Sequence, residues 1–197
     1  WKKSENNCKI SNSPFMKITL AGSPGSGKST LRKLLAEYYG LSTKGTGDFM
    51  RELSCKYGYS DITQFLVEYV SEHPEVDHQV DEEQRIFGKE NDNFVLDAHL
   101  GFHFVPDSIR ICLICDLEEA ARRILDDIER TTEDATNISD SIAASQKRRD
   151  TMQKNFMCLY QVDINDHSNF DLVLDTTTLS SVEAFERVSA FIDSRNT

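Results

Sequence analysis

Positive charge is scarce in this chain. Its 22 lysines and arginines face 33 aspartates and glutamates, a formal net charge of −11 over 197 residues. Nonspecific binding to DNA or RNA requires a basic face against the phosphate backbone, so no nonspecific nucleic-acid surface is expected. The few cations are expected where a polyphosphate binds. Long apolar runs are missing as well. None approaches the roughly 18 residues of a membrane span, so no membrane partner is expected. The opening segment WKKSENNCKISNSPF lacks the apolar stretch of a secretory leader. Residues 1–15 read as a polar tail, or as a remnant ahead of a natural start at Met16, and the cytoplasm is the expected compartment. The five cysteines have no zinc spacing. Cys112 and Cys115 are three apart within the run IRICLIC, which a strand would point to opposite faces. Free thiols in a reducing compartment are the expectation. There is no internal repeat or low-complexity tract.

What is present is one strongly patterned stretch, KITLAGSPGSGKST, from Lys17 to Thr30. Gly22, four residues, then Gly27-Lys28-Ser29 is the phosphate-binding loop pattern. Ile18, Leu20 and Ala21 predict a buried parallel strand before it. Leu31, Leu34, Leu35 and Tyr38 predict one apolar helix face after it. Gly22, Gly25 and Gly27 permit close backbone approaches that a β-carbon blocks. The N–H groups of Gly22, Ser23, Pro24-flanked Gly25, Ser26, Gly27, Lys28, Ser29 and Thr30 are then candidates to cradle a polyphosphate, aided by the helix N-terminus. Lys28 is placed to reach the β- and γ-phosphates, and the Ser29 hydroxyl to ligate Mg²⁺. ATP and Mg²⁺ are therefore the expected ligands.

The rest alternates strand and helix. Gly40 ends the first helix, and Leu41 to Lys44 is extended. A second helix opens near Gly45 and ends near Tyr57, before Gly58. Ser60 or Asp61 caps a third, with Ile62, Phe65, Leu66 and Tyr69 apolar. After Pro74, Glu75 to Lys89 is an acidic helix. NFVLD (93–97) and Ile109 to Cys115 are strands, the first ending in Asp97. An amphipathic helix follows to Arg130, a polar loop spans Thr131 to Asn137, and a long helix spans Ser139 to Tyr160. DLVLD (171–175) is the last strand, and Ser180-x-x-Glu183 a capping box for a final helix carrying Val182, Phe185, Val188 and Ile192. The fold class expected is α/β, a P-loop three-layer fold with a parallel sheet flanked by helices. One kinase-like domain over 16–197 is expected, with ligands at the C-terminal strand ends.

These elements in this order resemble nucleoside monophosphate kinases, and most closely the archaeal-type cytidylate kinases. The resemblance rests on AGSPGSGKST, GDFMRELSCKYG, FLVEYVSEHPEVDHQVDEEQ, NFVLDAHLG and YQVDINDHSNFDLVLDTTTLSSVEAF, and runs from Met16 to the last helix. It implies phosphoryl transfer from ATP to a nucleoside monophosphate, CMP or a relative, with monophosphate-binding helices and a mobile lid at about 130–150. By position it implies Asp48 and Arg51 in the acceptor site, Arg51 on the acceptor phosphate. It implies Asp97 near Mg²⁺, and Arg130 and Arg148 in the lid as catalytic cations beside Lys28. Protein partners are not implied.

Two departures stand out. The family has Gly-Arg after the aspartate-ended strand; this chain has Ala98-His99. His99 can donate to a phosphate but lacks the bidentate fork of arginine. In the lid helix the family has arginine before an aromatic, where this chain has Lys154-Asn155-Phe156. One acceptor-phosphate arginine is therefore missing or supplied from elsewhere. The departures leave a second reading open, a regulatory or assembly protein that binds nucleotide with weak or no transfer, and a third, a kinase for another small acceptor. Bland alternatives accompany single residues. Asp97 could be a turn aspartate, Arg51 an exposed helix arginine, and Lys147-Arg148-Arg149 a solvated face. Arg122 and Arg123, on a helix with Glu118, Glu119, Asp126 and Asp127, read as surface ion pairs.

Overall fold

The computed structural model describes residues 15–70, 72–73, 75–126 and 138–195. Its elements are β1 (Met16–Gly22), α1 (Lys28–Tyr39), β2 (Ser42–Gly45), α2 (Thr46–Lys56), α3 (Ile62–Phe65), α4 (Glu75–Glu90), β3 (Asn93–Asp97), α5 (Gly101–Phe104), β4 (Ile109–Ile114), α6 (Leu117–Asp126), α7 (Ile138–Tyr160), β5 (Leu172–Asp175) and α8 (Ser181–Arg195). The strands form one parallel sheet in the order β2-β3-β1-β4-β5. The chain fills one side of β1 with β2 and β3, then crosses to the other for β4 and β5. The crevice at the C-terminal end of β1 lies where the connections diverge, the usual ligand position in open parallel sheets. Register brings Leu20, Gly45 and Asp97 to one edge.

Alternation along β3 divides the core into two layers. Val95 joins β1, β4, β5, α1 and α8 in one cluster. Phe94 and Leu96 join α2, α4 and α5 in the other. Both faces of the strand are apolar, as expected where helices cover the two sides of a parallel sheet.

Four local expectations need correction. On α1 the residue that completes the apolar face is Tyr39, with Leu34 and Tyr38 only half-buried. Leu31, Leu35 and Tyr39 are spaced by four, and the Tyr39 hydroxyl donates to the Ser189 carbonyl and to Asp193 on α8 at 3.2 and 2.9 Å. The third helix is not regular throughout. After Phe65 it widens into a π-helical turn over Leu66–Val70, and Leu66 is exposed. A short helix, α5, absent from the expected order of elements, follows β3; Phe102 and Phe104 bury it against the second core layer. On α8, Val182 is exposed and Ala184 takes the buried position. Arg130 and Thr131 to Asn137, the centre of the expected lid, lie outside the described residues. None of the described helices is long and apolar enough to cross a membrane.

Candidate active site

β1 delivers the chain to the centre of the sheet edge, and the turn that follows has a fixed shape. Gly22, Gly25 and Gly27 adopt positive φ of 137°, 76° and 91°. A β-carbon on Gly22 would overlap the Leu113 carbonyl oxygen of β4, and one on Gly25 the Ala120 carbonyl of α6. The glycines are thus demanded by packing and by dihedral angle together. The loop is pinned from within by Ser26, whose hydroxyl donates to the Ser23 carbonyl at 2.8 Å. It is pinned from β5 by Thr176, whose hydroxyl donates to the Ser26 carbonyl at 3.0 Å. Lys28 folds over the loop, its Nζ donating to the Gly22 and Ser23 carbonyls at 2.8 Å each. Helix α1 then starts with Gly27 as cap, no side-chain cap and no acidic residue in its first turn. Its positive end is left to an anion. Pro24 and Thr30 lie on opposite sides of the loop, each lining a different cavity.

Ser29 and Asp97 meet. The Ser29 hydroxyl donates to Asp97 Oδ2 at 3.4 Å, from the first turn of α1 to the end of β3. A hydroxyl and a carboxylate at the mouth of a glycine-lined cradle are the hard oxygen donors Mg²⁺ takes. The donor chemistry and the shape of the loop therefore both fit the expected nucleotide–metal pair.

Distant elements assemble around a cavity of about 590 Å³ that includes the residues expected on the acceptor side. Asp48, in the first turn of α2, accepts from the Gly45 N–H at 2.8 Å and from Arg51 Nη2 at 2.6 Å. Arg32 Nη1 of α1 reaches the same carboxylate at 3.3 Å. Burial pushes the Asp48 carboxyl up, but the Arg51 and Gly45 hydrogen bonds and the two guanidinium charges outweigh it and hold the group below the ordinary carboxylate range. Arg51 is an exposed side chain tied to Asp48 and lining the cavity. Arg148 and Asn155 of α7 also line it, and Lys154 does not.

His99 lies on the wall shared by this cavity and a smaller pocket beside Gly22 and Ser23. Desolvation, then the charges of Lys28, Arg148 and Arg149, drive its imidazole down to about 3. It is a neutral group among three cations.

Three further side chains stand at the site beyond those assigned to it from the sequence. Arg32 lies three positions past Ser29, on the same face of α1, and its Nε is buried without a partner. Arg149 touches the phosphate loop, with Nη1 donating to Ser23 Oγ at 2.9 Å and its other nitrogens to Asn165 Oδ1. The basic run Lys147-Arg148-Arg149 was the available signal. Gln84 is buried in α4 at 3% exposure and lines the cavity.

A second cleft of about 340 Å³ opens on the other side of α1's N-terminus, lined by Gly27, Thr30, Arg122, Arg123, Thr176 and Leu179 among others. Arg122 pairs with Glu119 and Asp126, the surface role expected of it. Arg123 does more. It pairs with Glu119 at 2.7 Å and donates to the Thr176 carbonyl at 2.8 Å, tying α6 to the loop after β5. Among the described residues no group of histidines, cysteines and acids is arranged as a protein-only metal site, and Cys55, Cys112, Cys115 and Cys158 are free thiols.

Comparison with known proteins places this geometry in context. The family model described as an AAA domain, AAA_18, matches residues 18–144. A cytidylate kinase of Pyrobaculum islandicum is 34% identical over 85% of this chain and 87% of its own length. The S-adenosylmethionine-dependent nucleotide dehydratase of Lacinutrix mariniflava is 33% identical over 87% of this chain, which spans 35% of that relative's length. Among solved structures, the shikimate kinase of Aquifex aeolicus superposes with a TM-score of 0.61 over 91% of this chain and 98% of its own, at 16% identity. That likeness is one of fold.

Proposed function

This chain belongs to the AAA_18 family and to the nucleoside monophosphate kinases of the archaeal cytidylate kinase type, and from that premise we propose that it transfers the γ-phosphoryl group of ATP to a nucleoside monophosphate, CMP or dCMP, giving the diphosphate. The observation that carries the reading is the position of one phosphate loop between two clefts of different make-up. Two ligands, each with a phosphate, can enter from opposite sides and meet at the start of α1.

Phosphoryl transfer asks the protein for alignment and charge more than for covalent chemistry. In this reading the loop N–H groups and Lys28 hold the donor's β- and γ-phosphates. Arg123 keeps the Thr176 to Leu179 loop in place beside the donor cleft. Ser29 and Asp97 hold Mg²⁺, which when bound neutralises charge on the phosphates. Asp48 orients Arg32 and Arg51 toward the acceptor phosphate, and Arg148 faces the same space. An acceptor phosphate oxygen attacks the γ-phosphorus, the bond to the bridging oxygen breaks, and ADP leaves with that electron pair. Arg148 and Arg149 supply positive charge beside His99, where the family's missing arginine would have stood. The lid reading of Arg130 extends the same argument to residues beyond those described.

The test is a coupled assay of ATP and Mg²⁺ against CMP, dCMP, UMP, AMP and GMP. Turnover with CMP that falls about 10³-fold in Lys28→Ala supports the reading. ATP binding without turnover on any of these acceptors overturns it. One observation favours the alternative, a nucleotide-binding protein of the same fold with weak transfer: His99 is uncharged where the family carries arginine. His99→Arg separates the two. If transfer is merely weakened at this position, turnover rises in the variant. The added cation among Lys28, Arg148 and Arg149 is also expected to lower the melting temperature without ligand, and ATP to restore it.

A further inference from the structure

The acceptor cavity is chemically polarised along its length. Cations crowd one end, where Arg32 and Arg51 meet at Asp48 and Arg148 acts on His99 together with Lys28. The other end is made by α4 and the C-terminal part of α7. Arg148 and Tyr160 are twelve residues apart on α7, about 18 Å along the helix. Tyr160 donates to Asp81 Oδ2 at 2.6 Å, which fixes the far end of the cavity at Asp81. The charged neighbours that act on Asp81 are Asp77, His78 and Arg85, none of them from the cationic end. Between the two ends the walls carry Leu66, Val80, Met152 and Phe156, apolar faces suited to a flat ring.

At the far end one group has no partner. Gln84 Oε1 is buried and makes no hydrogen bond. Its amide nitrogen is engaged, with Nε2 donating to the Val80 carbonyl at 3.4 Å and to Asp81 Oδ1 at 3.3 Å. A flip of the amide would set its oxygen against those two acceptors, so the unpaired face of Gln84 is an acceptor. A buried acceptor left unpaired costs stability, which a ligand donor would recover. The last torsion of a glutamine is soft, and a small swing brings the oxygen to the cavity.

Resting on the kinase reading above, we propose that Gln84, held by Asp81, selects the acceptor's base: it accepts from the exocyclic amino group of a base such as cytosine and disfavours uracil, whose carbonyl at that position would face an acceptor. The pairing requires no change of protonation on either side.

The experiment compares CMP and UMP, by kcat/KM and by calorimetric Kd, in the wild-type chain, in Gln84→Met and in Asp81→Asn. The wild type is expected to favour CMP by at least about tenfold. In Gln84→Met that ratio should fall to within about threefold, through loss of CMP with UMP little changed. Asp81→Asn, which keeps a partner for Tyr160 but frees the amide to flip, should also lower the ratio. A merely structural role would weaken both substrates together and leave the ratio alone; that result overturns the proposal, as does a wild type without preference. If no monophosphate is turned over, the kinase reading fails by itself, and the calorimetric ratio still decides the role of Gln84. Failure of both nucleotides to bind overturns the proposal too.

Discussion

The two sides of the phosphate loop are built in opposite ways. On the proposed donor side the loop's own polar groups lie within a few residues of sequence and satisfy one another, with Thr176 pinning the loop from the end of β5. Lys28 bonds to carbonyls five and six residues back, Ser26 to Ser23, and the glycines are locked by the backbone of β4 and α6. On the acceptor side the groups come from α1, α2, α4 and α7, and two buried polar atoms, Arg32 Nε and Gln84 Oε1, have no partner. A self-satisfied loop holds its shape whatever the ligand. A cavity lined with unpaired groups is completed by one. In physical terms, the first part can be shared among many substrates, while the second is where choice among them is made.

The rigid side should break hardest. Gly25→Ala places a β-carbon on the Ala120 carbonyl oxygen at a φ of 76°. Strain and overlap together should cost about 3 kcal/mol or more, seen as a fall in the urea midpoint. Saturating ATP should recover little of it, because the loop can no longer adopt its shape. Strong recovery by ATP would mean that the loop is shaped by its ligand and not by β4 and α6.

The assembled side should break in a different coordinate. Arg32→Met keeps the volume of the side chain near α1 but removes a cation from the Asp48 carboxylate. Asp48 retains Arg51 and the Gly45 N–H, so the fold should survive. On the proposed acceptor role, KM for the monophosphate should rise about 30-fold, on the order of 2 kcal/mol, with KM for ATP changed less than threefold. Equal changes in both constants would erase the distinction between the two sides.

The same contrast explains what could be read from the chain beforehand. Strand, loop and α1 follow from local signals, since motif, glycines and helical period all fall within Lys17 to Tyr39. A parallel sheet follows from the alternation of strand and helix, though not its order β2-β3-β1-β4-β5, and Asp97 was placed by ending its strand. Arg32, Arg149 and Gln84 could not be placed that way. Arg149 was visible only as part of the basic run 147–149, Gln84 only as the end of a resembling stretch, and the place of each depends on which remote element packs against its face. The π-helical turn after Phe65 was likewise hidden. There Phe65 packs in the aromatic set of Tyr57, Tyr59 and Tyr69, a tertiary contact that periodicity alone does not encode. Tyr39 displaced Tyr38 for the same reason, because Ser189 and Asp193 on α8 offered its hydroxyl partners.

The smallest effect expected is one that should touch neither side, at the opposite end of the sheet. Asp171 precedes β5 and gathers two arginines, with Arg110 bonding both carboxylate oxygens from β4 and Arg195 reaching Oδ1 from α8 at 3.0 Å. Burial alone would push its carboxyl up; the hydrogen bonds and charges of Arg110 and Arg195 prevail and hold it at about 2. The unfolded value is about 3.9. A group depressed in the folded state lends stability that is fully present above its unfolded value and is lost as pH falls through the folded one. The network should therefore weaken between about pH 4 and pH 2. A shift near two units would be worth about 2.5 kcal/mol in isolation. Solvent screening at this sheet edge reduces it to about 1 kcal/mol. Asp171→Asn should thus lower stability by about 1 kcal/mol at pH 7 and by close to nothing at pH 2, in chemical denaturation at both values. A difference independent of pH would place the effect in packing and not in the charge network. Kinetic constants for both substrates should stay within about twofold, because Thr176, which pins the phosphate loop, stands at the far end of the strand. A change in KM for ATP alone would mean that the loop draws its rigidity from the whole length of β5.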